Sequence, residues 1–417
     1  MSHSVLRPFT VAVLLLAGTF CVSTICLAAG QDVEPPAAPQ PMTPGELGVA
    51  PQPGAEPSQV TPFGEEDLRV TPPESDQQAP ETPDTSRTSA SQSPAVRLAS
   101  VPNMFGDSLG SQIKVCDFAS CQTITLPPLG GQRVKISEND KALPMCRAFC
   151  SYNHFHNAIN SCGIGLPSQS NSFDQYTLGV EAAFWCARAS VELRLPLIDS
   201  PDFTGQDLLV GDEEMGNLEL TVKRLLYMSE TGVVGAGLAI DLPTGSDLTG
   251  NGFASSFTLF NDAVHLAPFI GFLRMPNDRI FYQGFVQVDV PTNGNRVIFG
   301  NDYLGHLCEQ DLLYVDLSLG YWLYHNPCAS YLTGVAPVVE YHYTTTLEDA
   351  DTVSGFDGQQ NLTFGNLDNR VDISNVTAGL HIELGLTTLR VAGVFPLGSG
   401  SNRLYDAEVQ VSLNRQF

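Results

Sequence analysis

The sequence predicts an all-β fold: a transmembrane antiparallel up-and-down β-barrel of about twelve strands behind a disordered N-terminal extension. Three observations predict it. Apolar and polar residues alternate with a period of two through many short segments between Arg147 and Phe417. The connections between those segments are tight and long in turn. No internal stretch is long and apolar enough for a membrane helix, yet only 16% of the 417 residues are charged, against about a quarter in soluble domains.

The chain begins with Arg7, an apolar run from Val11 to Leu27, and small Ala28, Ala29 and Gly30. A basic start, apolar middle and small-residue exit predict a secretory signal over residues 1–29. The rival reading, a membrane anchor, conflicts with the polar, proline-rich stretch that follows. Lipid attachment at Cys21 or Cys26 conflicts with their poor flanking residues. Residues 30–100 are Pro, Gln, Ser, Thr and acid, including Glu65, Glu66, Asp67, Glu74, Asp76, Glu81 and Asp84. Such a segment buries too little apolar surface to offset the entropy of ordering, so it reads as a disordered linker. Residues 101–145 are more apolar, with Met104-Phe105-Gly106 and Ile124 to Leu129, but have no clear period. They read as a lead-in or a plug.

Residues 146–417 carry the strands. Ala189, Val191, Leu193, Leu195 and Leu197 share one face, and Ser190, Glu192 and Arg194 the other. At the C-terminus Tyr405, Ala407, Val409, Val411 and Leu413 alternate with Asp406, Glu408, Gln410, Ser412 and Asn414. A strand sends successive side chains to opposite faces, so each segment has one greasy side and one wet side. The pattern recurs near Leu218–Lys223, Val234–Asp241, Ile280–Asp289, Leu313–Leu319, Val376–Glu383 and Leu389–Phe395. It is less clean near Arg147–Phe155, Tyr176–Phe184, Val264–Leu273 and Leu332–Tyr343.

Tight connections are expected near Cys186-Ala187, Ser229 to Thr231, Pro276 to Asp278, Asn326-Pro327-Cys328 and Gly385 to Thr387. Long ones are expected at Asn160–Ser170, Asp199–Met215, Pro243–Asn261, Pro291–Glu309 and Glu348–Asn369. Long external loops and short periplasmic turns alternate in this way in outer-membrane barrels. Four prolines, at Leu195-Pro196, Leu242-Pro243, Val290-Pro291 and Phe395-Pro396, fall on the same side. Proline cannot donate to a ladder and marks where a sheet frays.

The formal charge of −25 excludes a nucleic-acid partner, which selects a basic face. Of ten cysteines, Cys21 and Cys26 fall in the signal. Export permits disulfides among Cys116, Cys121, Cys146, Cys150, Cys162, Cys186, Cys308 and Cys328. There is no Cys-x-x-Cys pair, and no metal or cofactor is assigned. His154 and His156 share a strand face with Cys150; a metal site and ordinary rim polar groups are the two readings of that trio.

The strand ending at Phe417 resembles the C-terminal signal read by the bacterial barrel-assembly machinery, with Val409, Val411, Leu413 and Phe417 in phase and Arg415 out of pattern. The turn Asp241-Leu242-Pro243-Thr244-Gly245 is similar to one in the outer-membrane family linked to phenol meta-cleavage pathways. The stretch from Arg133 to Phe155, with Asn139 to Pro144 and Ser151 to Phe155, resembles planctomycete relatives of that kind. The resemblance implies a location in the bacterial outer membrane, contact with its lipids, and passage of apolar or aromatic compounds.

The wet face supplies the candidate pore residues: Glu192, Arg194, Glu219, Lys223, Asp241, Asp289, Asp316, Glu340, Glu383, Arg390 and Glu408, with His342 and His381 beside them. Such a lumen favours cations or neutral solutes. The expected function is therefore a passive channel or transporter for a small solute. The alternative is a structural or ligand-binding protein, because a lumen of about twelve strands is small enough for side chains to fill. A lipid hydrolase needs Ser and His together on the lipid-facing rim. The His-x-Ser-Asn-Gly signature is absent and His265 has no Ser on its face, so no catalytic residue is assigned.

Overall fold

A computed structural model describes residues 94–117, 122–130, 133, 135–163, 168–199, 203–204, 209–210, 215–251 and 255–417. The expected signal peptide and most of the expected linker lie outside them. Twelve strands close into an antiparallel barrel. They are β1 (Arg147–Cys162), β2 (Gln169–Phe184), β3 (Ala189–Asp199), β4 (Leu218–Met228), β5 (Gly232–Leu242) and β6 (His265–Arg274). They continue as β7 (Ile280–Pro291), β8 (Leu312–Tyr321), β9 (Gly334–Thr346), β10 (Asp372–Leu384), β11 (Thr387–Pro396) and β12 (Ala407–Gln416). Each pairs with the next, and β12 returns to β1 in a register from Ala407↔His156 to Gln416↔Arg147. The wall closes on itself, so along their ladders the strands satisfy one another's backbone donors and acceptors.

The alternation sets the two faces. On β3, Glu192 and Arg194 are buried, whereas Val191 and Leu193 are exposed. The same holds for Glu219 and Lys223 against Val222, for Asp316 against Leu317 and Leu319, and for Glu408 against Val409. Wet residues therefore point inward and greasy ones outward. Inward glycines make room for aromatic rings: Phe149 lies opposite Gly179, Phe269 opposite Gly237, Phe285 opposite Gly271, and Phe281 opposite Gly320. In each pair a Cβ on the glycine would fall within 2.5 Å of the ring. Each ring fills space that its neighbour's missing side chain leaves.

One end of the barrel has the short turns and both ends of its wall; we call it the turn end. At the β10–β11 turn, Gly385 takes φ +65°, the left-handed conformation a two-residue hairpin requires. Trp185, Tyr227, Tyr321 and Tyr324 are exposed there, among exposed Arg188, Arg224, Arg274, Arg279 and Arg415. At the other, loop end, a tyrosine belt of Tyr152, Tyr176, Tyr341 and Tyr343 closes the outward apolar band. Beyond it the outward residues become polar: His154, His156, Asp174 and Asp372.

Several connections differ from expectation. The loops at Pro243–Asn261 and Pro291–Glu309 hold the short strands Leu248–Asn251, Ser256–Leu259, Asn295–Phe299 and Asp302–Leu307. With Phe203–Thr204 and Leu209–Val210 these form a second, six-stranded sheet over the loop end. Another hairpin, Thr352–Phe356 with Asn361–Gly365, lies within Glu348–Asn369. Each piece is too short to show a period alone; it becomes a strand only beside partners from other loops. Strands β1 and β2 also extend into Asn160–Ser170, which shortens that loop. The tight turn expected at Asn326-Pro327-Cys328 is a longer connection, in which Tyr324–His325 folds back on Gly334 and Val335. Pro243, Pro291 and Pro396 lie at strand ends, whereas Pro196 lies inside β3. The β3–β4 ladder nevertheless stops at Arg194↔Glu219, just before it.

The described chain starts with a helix, Pro94–Ala99, ahead of the boundary expected at residue 101. Its Leu98 is buried near Val233 and Leu273 at the turn end. The chain then rises through the lumen to a hairpin, Ile113–Asp117 with Gln122–Leu126, which pairs with Asn361–Gly365 and with β1 at the loop end. It descends again to Met145 and enters β1.

Candidate functional site

The lumen is organised in three zones. At the loop end, Leu109, Ile113, Val115, Ile124 and Leu126 of the internal segment pack against Phe155, Phe173, Ile198, Phe257, Phe299 and Phe364. At the turn end, Leu98, Val101, Met104, Phe105, Ile136 and Leu143 pack against Phe269, Phe281, Phe285 and Trp322. Between these apolar clusters the contact between segment and wall is ionic.

Three charged groups make up the middle zone. In the first, Arg147 Nη2 lies 3.2 Å from Asp140 and 2.6 Å from Glu192, and its Nε lies 2.8 Å from Glu181. Lys223 Nζ bridges Asp140 at 2.6 Å and Glu181 at 3.2 Å. Arg194 pairs with Glu192 and approaches Glu219 at 3.9 Å. In the second, Lys135 of the segment pairs with its own Asp107 and with Asp316 of the wall at 3.1 Å. His342 Nδ1 lies 2.8 Å from the same Asp316. In the third, Arg133 Nε lies 2.8 Å from Asp289, which also meets His265 Nδ1 at 3.2 Å.

Two wall residues grip the segment's backbone. Both Glu340 oxygens accept from Phe105 N at 2.9 Å, and Oε2 also accepts from Gly106 N at 2.9 Å. Gly106 has φ +81°, and a Cβ there would stand 2.8 Å from Glu138 Cα, so this close turn requires glycine. Arg390 donates to Asn103 O and Asn139 Oδ1, both at 2.7 Å, and lies 4.1 Å over the Phe105 ring.

The candidate pore residues thus face inward, but they do not form one continuous set. Glu192, Arg194, Glu219 and Lys223 come together; Asp316 and Glu340 meet through His342. Asp289 stands with Arg133. Asp241 lies opposite Glu219 and His265 in the ladders, and its Oδ1 accepts no hydrogen bond. Glu408 accepts from Asn153 at 2.6 Å and from Gln410 at 2.9 Å. Glu383 is separate, near the turn end with His381 at 3.4 Å and His325 at 4.0 Å. Val409 and Leu413 are exposed on the outer face of β12, with Val411 in phase and Phe417 half-buried beyond them.

Sequence reasoning missed Arg147 and Glu181, which lie on less regular strands. It also missed Asp107, Arg133, Lys135, Asp140 and Lys141 of the segment. A run with so many charges in an otherwise apolar stretch was the available signal.

Two buried acidic groups have the spacing of metal ligands: Asp107, Asp316 and His342, and Asp140, Glu181 and Glu192. In each the cation position is already taken by a side chain, Lys135 in the first and Lys223 with Arg147 in the second. Their donor sets need no ion. A cavity of about 50 Å³ lies near Lys114, Arg133, Glu309 and Asp351 at the loop end. Cavities of about 20 and about 10 Å³ lie deeper. Spaces of these sizes have room for a few waters each.

No protein-family model matches the chain, and no curated protein matches. Solved structures do. The COG4313 outer membrane channel from Pseudomonas putida F1 is 12% identical, with TM-score 0.45, over 66% of this chain and 97% of that one. The NanC porin is 9% identical, with TM-score 0.35, over 65% and 98%. The TodX deltaS2S3 mutant, a monoaromatic hydrocarbon channel, is 10% identical, with TM-score 0.34, over 77% and 94%. At this similarity none of them bears on solute or mechanism.

Proposed function

We propose that this chain is a bacterial outer-membrane channel for small solutes whose own residues 101–145 close it at rest. The greasy outer face between two aromatic belts supports the membrane location. The loop end is then external and the turn end periplasmic. The arginines around the turn end suit the phosphate headgroups there.

The observation that carries the channel reading is the ionic middle zone. A barrel closed for good gains most from an apolar filling, because buried ion pairs rarely outdo a well-packed core. Here, between its two apolar ends, the segment meets the wall through charges whose wall partners water can solvate once the segment is displaced. With the segment displaced, Glu181, Glu192, Glu219, Asp241, Asp289, Asp316, Glu340 and Glu408 outnumber Arg147, Arg194, Lys223 and Arg390. Such a wall attracts cations and admits neutral solutes. The Asp241 to Gly245 turn and the Arg133 to Phe155 stretch support apolar or aromatic compounds, and membership of the phenol meta-pathway family or its planctomycete-type relatives. The outward phase of Val409, Val411 and Leu413, with Phe417 last, supports recognition by the barrel-assembly machinery.

Planar-bilayer recording from the full chain tests the proposal. Discrete steps with a cation preference in a salt gradient are expected. A silent bilayer with both the parent and Lys135→Met would leave a sealed structural barrel instead.

A further inference from the structure

The histidines that share a face with Cys150 play no part in the lumen. They project outward near the loop end of β1, beside the seam where β12 closes the wall. His154 Nδ1 lies 2.6 Å from Asp174 Oδ1, which also accepts the Tyr152 hydroxyl at 2.9 Å. His156 Nδ1 lies 3.2 Å from the Ser172 hydroxyl. The opposite nitrogen, His156 Nε2, faces the Asn157 amide nitrogen at 3.3 Å. That amide only donates, so an ion at Nε2 would take its place. Both rings are held at Nδ1 by β2. A carboxylate at Nδ1, as Asp174 is for His154, orients a metal-binding imidazole.

The spacing suits one ion. Strand positions i and i+2 share a face roughly 6–7 Å apart. The two rings are nearly stacked, with centroids 6.5 Å apart and 29° between planes. His156 is exposed and His154 is about a third exposed, so the rings have room to tilt toward one another, as both Nε2 atoms must to share one ion at the roughly 2.0–2.1 Å of a Zn–N bond. Asp406, at the foot of β12, is close: its backbone N donates to His156 O at 2.8 Å, its Oδ2 accepts from Asn157 at 2.6 Å, and its Oδ1 pairs with exposed Arg403 at 2.8 Å. The Asn157 backbone has φ +56° and lies at a register break in the β1–β2 ladder. Cys150 lies further down the strand, outside this group.

We propose that His154 and His156 form a binding site for a borderline divalent transition ion of the Zn²⁺, Cu²⁺ or Ni²⁺ class. Asp174 orients the first ring, and Asp406, on exchanging Arg403 for the ion, supplies a carboxylate from across the seam. Imidazole with carboxylate is the ligand chemistry this class prefers. The ion joins the first strand to the approach of the last, at the one place where the barrel is closed by distant parts of the chain.

Cu²⁺ added to the full chain in detergent, read by electron paramagnetic resonance, tests the site. One ion per chain with two coordinated imidazole nitrogens is expected. The double variant His154→Gln with His156→Gln should lose that signal while still migrating as a folded barrel before boiling. His156→Gln alone, at an exposed position, should leave one nitrogen. Asp174→Asn should weaken Zn²⁺ binding by about tenfold in calorimetry. A parent spectrum without imidazole nitrogen would overturn the proposal. So would a double variant that binds as the parent does, which would assign the ion to other ligands.

Discussion

Lys135 Nζ lies 3.1 Å from Asp316 Oδ1, and neither side chain is more than 1% exposed. The lysine belongs to the internal segment and the aspartate to the barrel wall, so this pair holds one to the other. Replacing Lys135 by Met leaves Asp107, Asp316 and Glu340 around a single His342. Removing one partner of a buried pair costs about 3–5 kcal/mol. The cost falls on the docking of the segment and not on the ladders of the wall. Lys135→Met should therefore conduct more often than the parent, with its heat-modifiable migration kept. Equal open frequencies would count against this pair as a latch.

Asp140 and Lys223 make a second such link, at 2.6 Å, but their losses are unequal. Without Asp140, Lys223 keeps Glu181 and Arg147 keeps two glutamates. Without Lys223, the four carboxylates Asp140, Glu181, Glu192 and Glu219 are left with two cations, Arg147 and Arg194. Lys223→Met should therefore lower the unfolding temperature more than Asp140→Asn does. Calorimetry on the detergent-solubilised protein gives both values; the reverse order would contradict the charge balance described here.

The two tryptophans report on the outer surface. Trp185 is 64% exposed at the turn end, whereas Trp322 is 1% exposed against Phe281 and His325. In vesicles of lipids brominated near the headgroup, the fluorescence of Trp322→Phe, which retains Trp185, should be strongly quenched. That of Trp185→Phe should be nearly unaffected. Equal quenching of the two would place the turn end away from the membrane interface.

At the loop end an exposed charge clasp joins the six-stranded sheet to the chain entering β6, where Arg296 Nε lies 2.6 Å from Asp262 Oδ2. Hydrogen bonds from Arg296 hold the Asp262 carboxyl below its usual range. A group whose folded pKa is depressed stabilises fully above its unfolded value, about 4, and less as pH falls through the folded one. Limited proteolysis of the loops around Asp262 should quicken below about pH 4 in the parent. Asp262→Asn should show the faster cleavage already at pH 7 and little further change; a parent rate flat down to pH 2 would argue that the clasp contributes nothing.

How much was legible in the sequence can be judged from single residues. Glu192, Glu219 and Asp316 could be placed on the inner face because Val191, Leu220 and Leu317 next to them were greasy. The six-stranded outer sheet was not legible: Phe257 and Phe299 sit in runs too short to show a period, and they gain partners only when separate loops meet. His154 and His156 were visible as a pair, but Asp174, Ser172 and Asp406 join them through two different ladders.

The sequence alone determined that this chain makes a closed wall with a wet inside and a greasy outside. Side-chain alternation is a property of each strand, so it can be read locally. What fills that wall was decided only by tertiary structure. Lys135 and Asp316, or Asp140 and Lys223, are far apart along the chain and become neighbours only once the barrel closes around the segment. Burial then makes each charge depend on its partner, and nothing local in the chain records that dependence.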